Sequence, residues 1–358
     1  MTLKILLFDD NPDTREVDRL LDALKRELQT RGTVCRFTPS TSNLEGMYEQ
    51  RLAEELRSEY TDTTLIVADL DLSATDRYRG LSEETVRRVA YSIGTPECAY
   101  ARGEKEEALR AKAGASEAII AVSVQEPSLF AKQVVTIASG FSAIADGLPG
   151  AVKGSSKKTI GYVVAELLGK PEYAEKISLY ASGDQNRFAS LLAVKKDGAK
   201  DSKTTNRRLA CVVGYWLWDS ILRYPGVVVN AIAASSYLDI HKDNFQNDAS
   251  LQQVFATARY TGPFADALGP LWWRGMLDDL VADGDCADGR RYAEAKLKVE
   301  LRGSECCEDA RERAGYYCVL SHQPVSLKNS RGGVPWLPRG ADLARISKSK
   351  HDEDAPWL

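Results

Sequence analysis

The stretch "KILLFDDNPDTREVDRLL", residues 4–21, ends an apolar run on two adjacent carboxylates, Asp9 and Asp10. A second run, "TTLIVADLDL" at 63–72, carries Asp69 near its end. Carboxylates side by side repel, so acids at the ends of buried strands ask for a cation. If the three converge in one crevice, they supply the hard oxygen ligands that Mg²⁺ takes while keeping several of its waters. The competing reading is that they are solvated strand ends, marking only where the chain reaches water.

The other residues with chemical reach are thiols, imidazoles and a basic run. Seven cysteines (Cys35, Cys98, Cys211, Cys286, Cys306, Cys307 and Cys318) are an odd number and widely spread, so a disulfide framework is not expected. Cys35, Cys98 and Cys211 lie in apolar contexts and read as buried free thiols. Cys318 and His322 form a C-x₃-H pair downstream of the vicinal Cys306-Cys307, a ligand set that would suit Zn²⁺. A vicinal pair chelates poorly, however, and packed thiols with a surface histidine are the reading taken. A nucleophilic pair of Cys318 or Cys211 with His241 or His322 has no local signature behind it. No P-loop, G-x-G-x-x-G after a strand, G-x-S-x-G or H-E-x-x-H stands in the chain.

The run "KKDGAKDSKTTNRR" (195–208) has six basic and two acidic residues, with Lys195, Lys196, Arg207 and Arg208 at its ends. Such cations can meet nucleic-acid phosphates. The interleaved acids favour a solvated loop. The pairs Trp216/Trp218 and Trp272/Trp273 are either core fillers or anchors for a protein partner, since aromatic and arginine clusters such as "LWWRG" are typical of interaction hot spots.

These residues need a scaffold. The first 145 residues alternate apolar strands with helical patterns: strands at 3–8, 33–40, 63–72, 97–101 and 117–123, and helices over 13–31, about 43–58, about 81–92, through "EKEEALRAKAGAS", and after Pro127. Alternation of this kind predicts an α/β fold with a doubly wound parallel five-stranded sheet. Its ligand site would lie beyond the carboxyl ends of the strands, where Asp9, Asp10 and Asp69 stand.

The stretches "ILLFDDNPDTREVDRLLDAL", "LIVADLDLS" and "AKAGASEAII" resemble a response-regulator receiver domain, over residues 1–145 only. The resemblance implies a CheY-like, flavodoxin-like sheet, an acidic pair (Asp9, Asp10) that binds Mg²⁺, and a phosphoacceptor aspartate at Asp69. The sequence departs from that pattern in the separation of Asp10 from Asp69, which is longer than usual with the surplus around 38–62, and at two strand ends. Where receivers carry Ser or Thr at the end of the fourth strand this chain has Ala101, and at the end of the fifth strand it has Ala121 and no lysine. Loss of that lysine removes a charge-assisted contact of about 1.5–3 kcal/mol to a phosphoryl group. A degenerate receiver, with its phosphorelay weakened or lost, is the expectation.

The remainder reads as a second domain, 151–358, mostly helical and Trp-rich, with a small β-rich segment at about 314–347. A boundary near "GLPGAVKGSSKK" (147–158) is marked by composition. Residues 1–150 hold 18 Lys+Arg against 25 Asp+Glu, the remainder 29 against 26, and all six tryptophans follow the boundary. Helices are expected at 209–226, 227–240, 249–258 and 266–282. The best candidate for a spanning run, "LACVVGYWLW" (209–218), is too short to span a bilayer, so a soluble cytoplasmic protein with no membrane partner is expected. The functional expectation is a non-enzymatic adaptor with a protein partner in bacterial signalling or defence. The alternatives are a response regulator with nucleic-acid-binding output, and an effector hydrolase or zinc-dependent enzyme in the second half.

Overall fold

The six residues of β1 (Leu3–Phe8) are aliphatic or aromatic apart from Lys4, and every one but Lys4 is buried. A strand covered on both faces has no use for polar alternation. The computed structural model describes residues 2–39, 47–73, 78, 81–103, 105, 106, 109, 119–181, 183–196 and 202–354. The expected helix through "EKEEALRAKAGAS", including its "AGAS", and the start of the helix expected from 43 lie largely outside them.

After β1 come α1 (Thr14–Leu28), β2 (Gly32–Arg36), α2 (Tyr48–Ser58), β3 (Leu65–Asp69), α3 (Glu83–Ile93), β4 (Glu97–Ala101), β5 (Ala121–Ser123) and α4 (Pro127–Gly154). The five strands form one all-parallel sheet in the order β2-β1-β3-β4-β5. Register is fixed by pairs such as Ile5↔Leu65 and Asp69↔Tyr100. The side chains of Leu6, Phe8, Ile66 and Ala68 share one core with Leu52 and Leu56 of α2 and Val86, Val89 and Ala90 of α3. Helices α1 and α4 pack against each other. Asp13 caps α1 by accepting from the Arg15 N–H, and Ser82 caps α3 by accepting from the Thr85 N–H.

Helix α4 is the element that sequence reading underestimated. It is long and apolar enough to cross a membrane by length and composition, but half of its most apolar stretch is buried inside the protein. Phe130, Val134, Ile137, Phe141 and Ile144 form that inward stripe, as in the core helix of a globular unit.

The chain divides into two units, and the division does not fall at one point. The first comprises 1–154 together with 184–216; the second comprises 155–183 and 217–358. Residues 184–216, expected in the second domain, therefore belong with the parallel sheet. In place of a solvated loop over 195–208, the described part of this segment forms the ends of two helices, Gly183–Lys196 and Ser202–Trp216.

In the second unit, two expected helices begin as strands. Val228–Asn230 (β6) pairs antiparallel with Leu271–Trp273 (β7) before each continues into a helix, Ala231–Tyr237 and Arg274–Asp283. The β-branched run Val227-Val228-Val229 favours extended backbone. Asn230 then stops it by capping the helix, its Oδ1 accepting from the Ala233 N–H at 2.9 Å. The core of this unit gathers Leu238, Phe245, Phe255, Trp272, Leu277 and Tyr292. Four short strands follow: β8 (Tyr316–Cys318), β9 (Pro324–Val325), β10 (Ser330–Arg331) and β11 (Ala344–Ser347), ordered β10-β11-β8-β9.

Candidate functional site

The carboxyl ends of β1 and β3 bring the three acids to one edge of the sheet. Asp9, Asp10 and Asp69 are 0%, 1% and 7% exposed, so they are not solvated strand ends. The cation they ask for is an arginine. Arg102, one residue past the end of β4, donates from Nη2 to Asp9 Oδ2 at 2.6 Å, and from Nη1 to Asp69 Oδ2. Its Nε faces Glu16 Oε2 of α1 at 3.5 Å. Each nitrogen of one planar guanidinium thus meets a carboxylate from a different element, a geometry that arginine supplies and lysine does not.

Local structure holds the guanidinium there. Side chains two apart on a strand share a face, so Tyr100 and Arg102 leave β4 together. Arg102 sits over the Tyr100 ring, 5.2 Å from its centroid, and the Tyr100 hydroxyl also donates to Asp9 Oδ2. Gly103 follows at φ +58°, a left-handed backbone that glycine adopts without strain. The remaining oxygens are also occupied: Asp9 Oδ1 accepts from the Asn11 N–H at 2.9 Å, and Asp69 Oδ1 from the Asp71 N–H at 3.2 Å. Behind this layer the Asp9 carbonyl accepts from Arg36 Nε at 2.8 Å and from the Tyr78 hydroxyl at 3.2 Å.

Charge balance follows from the geometry. Burial pushes the Asp69 carboxyl up to about 7, helped by Asp9 and Asp10, against the opposing pull of Arg102 and the Asp71 N–H. One guanidinium cannot neutralise three buried acids, so a proton held near neutrality is the expected compromise. Burial also lifts the Tyr100 phenol well above its ordinary value, with Asp9 and Asp69 adding to the rise. For Arg102, burial works against the charge but its anionic neighbours win, and its pKa rises. Asp71, on the open rim, is held down at about 2 by its hydrogen bond from Lys105.

The opposite edge of the same sheet is closed by packing. The helix Ser202–Trp216 packs on α4 and α3. The Tyr215 hydroxyl accepts from the Glu97 N–H at 2.7 Å and donates to the Glu97 carbonyl at 2.9 Å. Arg207 donates to the carbonyls of Thr61 and Thr63 and to Thr95 Oγ1, at 2.7, 2.9 and 2.7 Å. A residue expected to face solvent or nucleic acid is therefore engaged inside its own unit. Lys195 and Lys196 end the preceding helix, and residues 197–201 lie outside those described.

The thiols and histidine do not converge as a four-ligand set. Cys306 is buried, its Sγ accepting from the Ser326 N–H at 3.4 Å; Cys318 is buried, accepting from the N–H groups of Ser321 and Ser347 at 3.4 and 3.2 Å. Cys307 is exposed, and His322 Nδ1 pairs with the Tyr317 hydroxyl at 2.6 Å. Among the described residues, no three His, Cys, Asp or Glu side chains are gathered to hold a metal ion. The tryptophans expected to anchor a partner are mostly interior: Trp216, Trp272 and Trp273 are buried. The adjacent pair solves its geometry as a strand, with Trp272 against Phe245 at 5.1 Å and Trp273 stacked on Tyr173 at 5.4 Å. Trp218 is half-buried, edge-on to Phe264. A cleft of about 440 Å³ in the second unit is lined by residues from Gly332 to Arg345, and two of its charged groups are engaged: Asp342 with Arg274 at 2.6 Å, and Arg345 with Ser330.

Comparison with known protein families finds no family model that matches the chain, and a search of curated proteins finds no match. The residue that sequence reading missed is Arg102. Its signal is the Tyr-Ala-Arg ending of "ECAYAR" (97–102), which places an aromatic and a cation on one face of a strand end.

Proposed function

We propose that the first unit is a receiver-like docking module whose phosphoryl chemistry has been replaced by a fixed internal ion cluster. The chain around it acts as a non-enzymatic regulatory adaptor that engages a protein partner, in the kind of bacterial signalling or defence system that uses such modules. Three features support the reading. The strand order 2-1-3-4-5 is that of flavodoxin-like doubly wound sheets. The acids stand at the carboxyl ends of β1 and β3, where a receiver carries its acidic pair and phosphoacceptor. The end of β4 holds Ala101 in place of the switch hydroxyl; Ala121, expected at the end of β5, begins that strand, which ends on Ser123 and carries no lysine.

The single observation that carries the reading is the position of Arg102 on both Asp9 and Asp69. A phosphoacceptor must offer a carboxylate oxygen to an incoming phosphorus atom. Asp69 offers one oxygen already engaged by a guanidinium and another engaged by a backbone N–H, and burial raises its pKa to about 7, so near neutral pH a substantial fraction of the carboxyl is protonated and cannot attack. Beryllofluoride with Mg²⁺, which mimics an acyl phosphate, tests this by hydrogen exchange at β4 and β5. The expected result is the same exchange pattern with and without the mimic. A change in the wild type that Asp69→Asn abolishes would overturn the reading.

A further inference from the structure

We propose that Arg102 is a tethered substitute for a divalent cation, and that removing it converts the crevice of Asp9, Asp10 and Asp69 into a divalent-cation site. The inference concerns the same crevice as the function proposed above, but it does not depend on the adaptor role. The receiver resemblance implies Mg²⁺ there, and the residues present do not fit that ion while Arg102 is in place. All four carboxylate oxygens of Asp9 and Asp69 already accept a hydrogen bond, two of them from one guanidinium. Asp9 Oδ2 and Asp69 Oδ2 face the two terminal nitrogens of the same planar group, so the guanidinium stands between the oxygens that an ion would bridge.

The substitution has a physical logic. A hydrated Mg²⁺ ion is held by one or two carboxylates and exchanges with solvent, so its occupancy follows ion concentration. A guanidinium on the backbone is always present and always charged. It needs a platform, and the Tyr100 ring beneath it, Glu16 at its Nε and the left-handed backbone at Gly103 provide one. What remains after truncation is a buried pair of carboxylates, Asp9 and Asp69, that faced one guanidinium, and one or two carboxylates with retained waters are what a hard divalent ion takes.

The test uses the full chain and Mn²⁺ alone as the probe, with free Mn²⁺ counted by electron paramagnetic resonance. Arg102→Gln is expected to gain one equivalent of bound Mn²⁺ at least about tenfold tighter than any site in the wild type. Arg102→Lys should gain none, and Asp69→Asn added to Arg102→Gln should remove the new site. Arg102→Met, which keeps the volume of the stem, replaces the glutamine variant if circular dichroism shows that the latter does not fold. The inference is overturned if the wild type binds one Mn²⁺ that Asp69→Asn abolishes, or if both truncated variants fold and gain no site. Those outcomes are separate from a beryllofluoride response in the wild type, which would overturn the phosphoryl-inert reading alone.

Discussion

The two edges of the parallel sheet are closed in opposite ways. At the carboxyl ends, three acids and one guanidinium make an ion cluster, whose strength depends on charge and on pH. At the amino ends, the helix Ser202–Trp216 makes a seal of shape and of hydrogen bonds to uncharged acceptors and donors, with Tyr215 on the Glu97 backbone, Arg207 on Thr61, Thr63 and Thr95, and Gly214 against Phe141. Folding stability should therefore answer to different variables at the two edges. A chemically active sheet edge leaves its polar groups open to a ligand. Here one edge is neutralised from within and the other is covered.

The largest expected effect lies at the covered edge. Gly94 ends α3 at φ +75°, and a Cβ built there would meet the Arg208 backbone nitrogen at 2.7 Å. Gly94→Ala combines a strained backbone with an overpacked contact, and should cost about 3 kcal/mol of stability. Urea unfolding followed at the β3 and β4 amides by hydrogen exchange checks it, and the loss should be independent of salt and pH. A smaller loss, about 1–3 kcal/mol, is expected of Tyr215→Phe, which leaves the Glu97 backbone groups without their partner. That loss too should be the same at pH 5.5 and 7.5, because burial holds the Tyr215 phenol neutral far above that range.

The charged edge should respond to pH. Asp69 has its pKa raised to about 7, so the folded state holds a proton that the unfolded state, with an ordinary carboxyl near 3.8, does not hold between those values. The contribution of Asp69 therefore grows as pH falls from about 7 towards 4, and is lost as pH rises through 7. Between pH 7 and 5.5 the wild type should gain up to about 2 kcal/mol relative to Asp69→Asn, measured as the difference in urea midpoints. A wild type that instead loses stability relative to Asp69→Asn on acidification would reverse the assignment of charge in the crevice.

Much of the first unit was legible in the sequence. β1 at 3–8 and β4 at 97–101 stand where the apolar runs put them, because buried parallel strands are the simplest pattern a chain can carry. The acids were legible too, since their types and their place at strand ends follow from the same runs. Their cation was not. The expectation looked for a metal ion or a lysine after β5, whereas the charge comes from an arginine after β4, whose orientation depends on an aromatic two residues earlier. The place of 184–216 was also hidden: the partners of Arg207 are Thr61, Thr63 and Thr95, more than a hundred positions away, and no local pattern links them. In the second unit, β6 and β7 are three residues each and run straight into helices, too short for a period of two to show against 3.6.

The most direct test of the account is a double-mutant cycle between Arg102→Gln and Asp69→Asn, measured by urea unfolding with chelator present so that no metal contributes. If the guanidinium is the cation of the crevice, the two substitutions should be coupled by more than about 1 kcal/mol, with Asp69→Asn rescuing part of the loss caused by Arg102→Gln. Effects that add to within about 0.3 kcal/mol would contradict it, because Arg102 and Asp69 would then stand side by side without sharing their charge.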